Sequence, residues 1–476
     1  MGGTEGHRAI LDHQLRAGVG GACHIEDPLM NTVVVGLGKT GASCVRYLAK
    51  RGVQVSATDS RHAPPGLAEL GELAQSIDIR LGAFDLSLLE GATQVLMSPG
   101  VSLDEPIAAV ARARGIDVLG DVELFAREVR ARGGHTPVIG ITGTNGKSTV
   151  TTLVARMAAA AGRRVLAGGN LGEPALDLLE QPTPDLYVLE LSSFQLETTR
   201  SLTLQAAVVL NVTADHLDRY GSVAAYAGAK ERIYARAKTL VLNADDPWVM
   251  AMRKGDVTHR VTFSIERTDT DYLLLRSGKQ TFLARKGVAL LDVSHMKITG
   301  LHNAANALAA LALGEAVGLP MPAMLNALQS FPGLSHRSAW VADINGVRYI
   351  DDSKGTNVGA TLAAVAGMTG PLVMIAGGEG KGQDFTPLAA AFRGKVRETV
   401  LIGKDAAAIA DALQGVCKTR KARSLEEAVA QAQRIASPGD TVLLSPACAS
   451  LDMFRDYGHR GDVFAAAVRS LAGGAS

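Results

Sequence analysis

The sequence predicts an α/β protein of three domains, each built on a mostly parallel sheet. Three observations carry this. The chain has 476 residues, about three domains at roughly 150 residues each. Short apolar runs alternate with Ala-rich helical patterns, the signature of βα repeats. Glycine is over-represented, with 52 copies against about 33 at average usage, and many fall in turns that follow apolar runs, at 36–41, 140–146, 168–172 and 377–382.

Taken in order, residues 1–29 carry Glu5, Asp12, Glu26 and Asp27 and no apolar stretch of signal-peptide type. They are expected to form an extension outside the fold with no assignable role. From residue 30 the pattern reads strand (32–35), glycine turn, helix (41–50), strand (53–57), and continues through runs at 95–97 and 117–119 to Gly133 and Gly134. A first Rossmann-like domain over 30–133 follows. A second unit, 134–333, opens with a strand at 137–142 and a helix at 148–161, with further strands at 164–166, 186–191, 206–210 and 239–243 and a helix at 222–237. Between 258 and 293 the periodicity switches to two, which predicts a small antiparallel appendage. An Ala/Leu helix over 302–317 leads to a linker at 332–337. The third domain, 334–476, alternates strands at 348–350, 372–376, 399–402 and 441–444 with helices, again Rossmann-like.

Composition excludes several functions. Lys and Arg total 48 and Asp and Glu 47, so no basic field exists to attract nucleic acid or an anionic membrane. Cys23, Cys44, Cys417 and Cys448 include no C-x-x-C pair, which argues against a structural zinc or a disulfide framework. No apolar run reaches the roughly 18 residues of a membrane span. A cytoplasmic protein is expected.

The turn GLGKTG, Gly36 to Gly41, fits G-x-G-x-x-G after a strand, with Asp59 ending the next one. Glycines there let backbone N–H groups and a helix N-terminus approach a diphosphate. The motif alone admits a dinucleotide, the diphosphate of a UDP-sugar, or plain close packing. The second domain holds GITGTNGKST, Gly140 to Thr149. It departs from the strict phosphate-loop spacing, yet Lys147 can reach β and γ phosphates, Ser148 or Thr149 can bind Mg²⁺, and the loop amides can cradle oxyanions. Glu190, Asp215 and His216 also follow strands of this sheet, and carboxyl ends of parallel strands share one edge. Lys230, on the following helix, reads by itself as a solvated lysine. In the third domain DDSKGTN (351–357), GGEGKGQDF (377–385) and SPACAS (445–450) each follow a strand, and Lys354, Lys381 and Ser450 suit a small ligand with carboxylates. From the residues alone three functions compete: an ATP-dependent amide ligase, an NAD(P)-dependent dehydrogenase with an accessory ATPase, and a nucleotide switch.

GTNGKST (143–149), ELSSFQLE (190–197), DHLDRY (215–220), GLHNAANALAA (300–310), PGLSHR (332–337), DDSKGTN, GGEGKGQDF and SPACASLDMF, in this order, resemble the Mur ligase family from about residue 31 to the C-terminus. The D-N-P-R motif of the diaminopimelate-adding members is absent, and folylpolyglutamate synthase, which shares the central loop, lacks ELSSFQLE. The resemblance implies an ATP-dependent ligase that adds D-glutamate to UDP-N-acetylmuramoyl-L-alanine (UDP-MurNAc-L-Ala) through an acyl phosphate, with Mg²⁺ as cofactor, and most simply a monomer. It overrules the dinucleotide reading of GLGKTG.

Site residues follow by the same resemblance. Domain 30–133 would bind the UDP-sugar through Gly36, Gly38, Thr40, Gly41, Asp59, Ser60, Arg61, Ser98 and Gly100, joined by Asn170. Domain 134–333 would bind ATP through Gly143, Thr144, Asn145, Gly146, Lys147, Ser148, Thr149, Asn303 and Asn306, with Arg337 and Asp352 from the third domain. Domain 334–476 would bind glutamate through Lys354, Thr356, Lys381, Ser450, Leu451 and Tyr457, the last standing where the family has a Phe. Lys147, His216 and Lys230 would be catalytic. Ser148 and Glu190 would hold one Mg²⁺, and His216 with a carbamylated Lys230 a second.

Overall fold

The computed structural model describes residues 31–170, 172–252, 259–298, 300–368 and 370–473; the expectation for residues 1–29 lies outside them. Three α/β domains are present, each on its own sheet, and the chain parts into two compact units at Leu119/Gly120.

The first unit carries β1 (Asn31–Val35), β2 (Gln54–Asp59), β3 (Asp78–Leu81), β4 (Gln94–Met97) and β5 (Asp117–Leu119), all parallel, in the order β3-β2-β1-β4-β5. Val33, Val34 and Val35 are fully buried because both faces of β1 are covered, the usual fate of a central parallel strand. Helix Lys39–Ala49 leaves the turn so closely that a Cβ on Gly41 would lie 1.9 Å from the Gly36 carbonyl oxygen. Only glycine fits there. The turn sits where the strand order reverses, at the carboxyl end of β1, which opens a crevice for a ligand.

In the second unit β6 (Val138–Thr142), β7 (Val165–Gly169), β8 (Leu186–Glu190), β9 (Leu204–Val209), β10 (Ala237–Asn243), β11 (His259–Ser264), β12 (Tyr272–Ser277), β13 (Gln280–Arg285) and β14 (Val288–Asp292) form one sheet, ordered β14-β13-β12-β11-β10-β9-β6-β8-β7. The small appendage is a continuation of this sheet. Antiparallel pairing is confined to β12–β13–β14, whereas β11 runs parallel to β10 because helix Pro247–Ala251 lets the chain cross back. Helices Lys147–Ala160, Leu301–Ala316 and Met321–Ser330 share one apolar core on this sheet. The helix expected over 222–237 ends at Glu231 and tightens into a 3₁₀ turn, Arg232–Tyr234.

The same unit contains the third sheet: β15 (Ala339–Ile344), β16 (Val347–Asp351), β17 (Leu372–Gly377), β18 (Val396–Ile402), β19 (Lys418–Lys421) and β20 (Thr441–Leu444), ordered β15-β16-β20-β17-β18-β19. Cores line both of its faces. Only the β15–β16 hairpin is antiparallel, turning on Asn345 and Gly346, both at positive φ.

Helix Asp121–Ala131 precedes the expected boundary at 133 yet packs on the second unit. Its Phe125 ring meets Tyr187 edge-on at 5.2 Å, and Glu123 accepts the N–H groups of Arg200 (2.7 Å) and Ser201 (2.8 Å). No helix among the described residues is long and apolar enough to cross a membrane.

Candidate active site

In the first unit the glycine turn is braced by Asp59. Its carboxylate accepts Leu37 N–H at 2.7 Å, Arg61 N–H at 2.8 Å and the Arg61 guanidinium at 2.9 and 2.7 Å. Burial pushes this acid up, but Arg61 and the backbone donors outweigh burial and hold it below its usual value. Ser98 Oγ donates to the Gly36 carbonyl at 2.6 Å. Gly38 and Gly100 have open space where a side chain would stand, and Thr40, Ser60 and Arg61 are at least partly exposed at the same sheet edge. The turn thus presents backbone to solvent while Asp59 is spent inside the protein, whereas the acidic residue of a dinucleotide fingerprint reaches a ribose.

In the second unit the phosphate loop joins β6 to helix Lys147–Ala160, with Gly143 (φ +153°) and Gly146 (φ +85°) turning the chain. A Cβ on Gly146 would lie 2.4 Å from Asn306 Oδ1, so this glycine lets the loop close on the helix that carries Asn303 and Asn306. Asn211 locks the loop, accepting Asn145 N–H at 2.8 Å and donating to its carbonyl at 3.1 Å. Thr144 Oγ1 accepts Thr213 N–H at 3.0 Å. Lys147 Nζ folds back to the carbonyls of Gly143 and Thr144, 2.8 Å each. Burial pulls its amine down, against Glu190 and Asp215, which favour the charged form.

Around this loop the strand ends converge. Glu190, at the end of β8, accepts Asn170 Nδ2 at 2.7 Å through Oε1, while Oε2 is buried with no partner. His216, past β9, sits at φ +53°, a left-handed conformation unusual for histidine. Burial lowers its pKa to about 4 against the pull of Asp215, so the imidazole is neutral. Lys230 is 1% exposed. Its Nζ donates to the Gly143 carbonyl at 3.0 Å and lies 4.3 Å from the Tyr226 ring centre. Burial, and then the neighbouring Lys147, drive it well below the usual lysine range. The solvated-lysine reading of Lys230 is overturned.

The third domain closes the cleft directly. Arg337 donates to Ser148 Oγ at 2.9 Å. Asn357 Nδ2 donates to Asn145 Oδ1 at 3.2 Å and to Asp215 Oδ2 at 3.3 Å, and Lys381, at φ +53°, reaches Asp215 Oδ1 at 3.4 Å. Two adjoining cavities result. One, of about 150 Å³, is lined by Asn145, Gly146, Thr149, Asn303, Asn306, Arg337 and Asp352 among others. The other, of about 260 Å³, is lined by Lys147, Ser148, Asn170, Glu190, His216, Lys230, Lys354, Thr356 and Lys381 among others. Asp352 is pushed up to about 6 by burial, although Ser445 Oγ and Ser338 N–H donate to it. Lys354 is brought down to about 7 by burial and then by Arg337, with its amine 3.7 Å from the Tyr457 ring centre.

Most of the expected nucleotide, metal and glutamate residues therefore gather in one cleft. Ser450 and Leu451 line neither cavity; Ser450 is buried and Leu451 69% exposed. Tyr457 meets the cleft through Lys354. Two structural contributors were missed. Asn357 stands in DDSKGTN, and its place after a strand, the signal that singles out its neighbours, points to it as well. Arg460 is wholly buried in a helix and donates to Ser353 Oγ and the carbonyls of Ser353, Cys448 and Ala449, tying the loops after β16 and β20 together. No periodicity marks it. Among the described residues no three His, Cys, Asp or Glu side chains are grouped to hold a metal on their own.

Family models match three stretches: residues 30–120 match the Mur ligase MurD-like N-terminal domain, 141–314 the Mur ligase middle domain, and 336–448 the Mur ligase glutamate ligase domain. The UDP-N-acetylmuramoylalanine–D-glutamate ligase of Nitrosococcus oceani is 53% identical over 443 residues, covering 92% of this chain and 96% of its own. The protein of the same name from Pseudomonas aeruginosa is 49% identical over 445 residues, 92% of this chain and 98% of its own. Among solved structures, UDP-N-acetylmuramate-alanine ligase from Thermotoga maritima superposes with a TM-score of 0.60 at 21% identity, covering 93% of this chain and all of that one. A pseudomurein peptide ligase from Methanothermus fervidus gives 0.58 at 19% with the same coverage. These two likenesses are of fold.

Proposed function

The chain belongs to the Mur ligase family, and from that premise we infer that it joins D-glutamate to UDP-MurNAc-L-Ala in peptidoglycan precursor synthesis, with ATP as co-substrate and Mg²⁺ as cofactor. One observation supports the site assignment most strongly. A phosphate loop, an unpartnered carboxylate oxygen and the lysines of the third domain line the same cavity. A ligase of this kind must bring a triphosphate and an amino acid within bonding distance of one carboxylate, and that cavity supplies cations for both.

The chemistry runs in two steps. The alanyl carboxylate attacks the γ-phosphorus of ATP, giving an acyl phosphate and ADP. The neutral amine of glutamate then attacks the acyl carbon, a tetrahedral intermediate collapses, and inorganic phosphate leaves as the amide forms and the amine loses its proton. Phosphoryl transfer asks the protein for positioning and charge neutralisation. Lys147 is assigned to the β and γ phosphates, exchanging its loop carbonyls for phosphate oxygens, while the amides of 143–149 hold the chain of phosphates. Asn303, Asn306, Arg337 and Asp352 are assigned to the remainder of the nucleotide, and Lys354, Thr356 and Lys381 to the glutamate carboxylates. Ser450, Leu451 and Tyr457 keep their glutamate assignment from the family resemblance alone; of the three, Tyr457 touches a lining residue, Lys354. Within the first unit the turn at 36–41, braced from inside by Asp59, is assigned to the UDP-sugar with Ser60, Arg61, Ser98 and Gly100; Asn170 lines the cavity of the second unit beside Glu190.

The residues present fit Mg²⁺. Glu190 Oε2 is a buried oxygen in need of a partner, Ser148 Oγ is adjacent to the phosphate loop, and Mg²⁺ habitually takes its other ligands from phosphate and water. Bound there, it supplies positive charge to the triphosphate. For a second ion the assigned donors are the neutral imidazole of His216 and Lys230. Burial favours the uncharged amine of Lys230, the form that adds CO₂, releasing a proton and becoming an anionic carbamate, an oxygen ligand suited to a hard cation. We place the enzyme in the cytoplasm, where ATP and nucleotide-linked precursors occur, as a monomer; light scattering at 49.6 kDa tests the latter.

The test of function is direct. With Mg²⁺, ATP and UDP-MurNAc-L-Ala, phosphate release should depend on D-glutamate and yield the amide. Release indifferent to D-glutamate, or equal with L-glutamate, refutes the assignment.

A further inference from the structure

Helix Ser193–Glu197 begins after Leu191 and Ser192, the two residues that follow Glu190, and touches the segments that carry His216 and Lys230. Its N-terminus is closed by a capping box between Ser192 and Gln195, which fixes it to the end of β8. Its Leu196 carbonyl accepts Arg232 Nε at 2.8 Å, next to the turn of helix that holds Lys230. Its last residue, Glu197, reaches the segment after β9: Oε2 accepts the Arg219 guanidinium at 2.6 Å and Oε1 the Tyr220 hydroxyl at 2.5 Å. Arg219 and Tyr220 belong to the single helical turn Leu217–Tyr220, whose N-cap is His216.

His216 holds a left-handed backbone, φ +53°. A β-carbon residue stays there only where its surroundings over-determine it. The two Glu197 bonds grip the positions three and four residues beyond His216 and set the direction of the turn. Aromatic packing completes the hold. Phe194, from the same short helix, stands edge-on to His216 at 4.9 Å, stacks on Tyr220 at 5.8 Å and lies under the Arg219 guanidinium at 4.4 Å. Both Glu197 and Arg219 have side chains only 17% exposed, so the pair is well shielded from solvent.

We propose that Glu197 is a positioning residue: through Arg219 and Tyr220 it sets the His216 imidazole relative to Glu190 and Lys230, and so sets the affinity of the site for divalent cation. Glu197 does not itself line the cavity. The proposal rests on the assignment of His216 as a metal ligand. Outer-shell partners of a ligand typically change metal affinity or activity by about 10–100-fold when removed.

The experiment uses the full chain with Glu197→Gln, which keeps an acceptor for Tyr220 but loses the charge opposite Arg219, and Glu197→Ala, which loses both. Two readouts are taken. The first is amide hydrogen exchange of residues 213–221 without metal or nucleotide, which reports the turn independently of catalysis. The second is the Mg²⁺ concentration for half-maximal ligation beside the KM values for glutamate and UDP-MurNAc-L-Ala, with Mn²⁺ binding by electron paramagnetic resonance. Faster exchange confined to 213–221, a Mg²⁺ requirement raised about tenfold or more in Glu197→Ala and less in Glu197→Gln, and unchanged substrate KM values support the proposal. Unchanged exchange with a Mg²⁺ requirement within twofold of the parent overturns it, as does a loss spread evenly over all KM values. If Glu197→Ala does not fold, Glu197→Gln carries the same reading. If the parent enzyme shows no glutamate-dependent ligation, the function fails, while exchange and Mn²⁺ binding still decide whether Glu197 positions His216.

Discussion

Asp121 and Glu123 stand two residues apart at the start of one helix, both buried, and they should respond to pH in opposite directions. Asp121 has one side-chain donor, Gln195 Nε2 at 3.0 Å, and its Oδ1 has none; burial drives its pKa up to about 6 from 3.8. Glu123 is also pushed up by burial, but Arg200 N–H, Ser201 N–H and Arg127 overcompensate and leave it below its usual value. An acid whose folded pKa is raised costs stability as pH rises: the cost is absent below about 3.8, grows through the window up to about 6, and is complete above it. A shift of about two units at about 1.36 kcal/mol each amounts to roughly 3 kcal/mol. Asp121→Asn should therefore be more stable than the parent at pH 8 by up to that amount, with about half the gain left at pH 5. Glu123→Gln should do the reverse, losing stability above pH 4.5 and converging with the parent as pH falls below it. Urea unfolding of the three proteins at pH 5, 6, 7 and 8, followed by tyrosine fluorescence and circular dichroism, measures this. An Asp121→Asn variant less stable than the parent at pH 8, or a difference that does not shrink toward pH 5, refutes the reasoning.

Three other perturbations have defined outcomes. Gly41→Ala places a Cβ 1.9 Å from the Gly36 carbonyl oxygen; the helix must retreat by about an ångström, and kcat/KM for the UDP-sugar substrate should fall about a hundredfold with the KM for ATP unchanged, as steady-state kinetics will show. Lys147→Ala should abolish glutamate-dependent phosphate release while thermal melting stays at or above the parent value, since a buried amine is removed. Lys230→Ala should lose activity and regain part of it with added formate or acetate; no recovery at any concentration argues against an oxygen ligand at that position.

The phosphate loops were legible because glycines, a lysine and hydroxyl residues after an apolar run have few structural reasons to occur together. Strands with two covered faces, such as Val138–Thr142 and Leu372–Gly377, announced themselves as unbroken apolar runs. Edge strands did not. Asp78–Leu81 and Lys418–Lys421 carry charged residues on a margin that water reaches, and only pairing with a neighbour makes them strands. The β15–β16 hairpin carries a readable signal, Asn345-Gly346 between two half-buried runs. Arg460 was invisible for a different reason: its partners are backbone carbonyls from two loops, and backbone groups leave no trace in a pattern of side chains. Lys230 read as a surface charge because burial of a lysine on a short helix depends on what covers it, here Tyr226 and the phosphate loop.

The bonds that join the third domain to the phosphate loop have a thermodynamic consequence. Ser148 is already occupied by Arg337, Lys381 by Asp215 and Lys147 by its own loop. Incoming ligands therefore meet competitors tethered in place, and binding is an exchange of partners more than the filling of a void. The apparent affinity for any one ligand is lowered by the work of displacing its internal rival. Once the first has been displaced, the next arrival finds part of that work done. Substrates on such a surface are expected to bind with positive coupling, and the protein's own side chains set its strength.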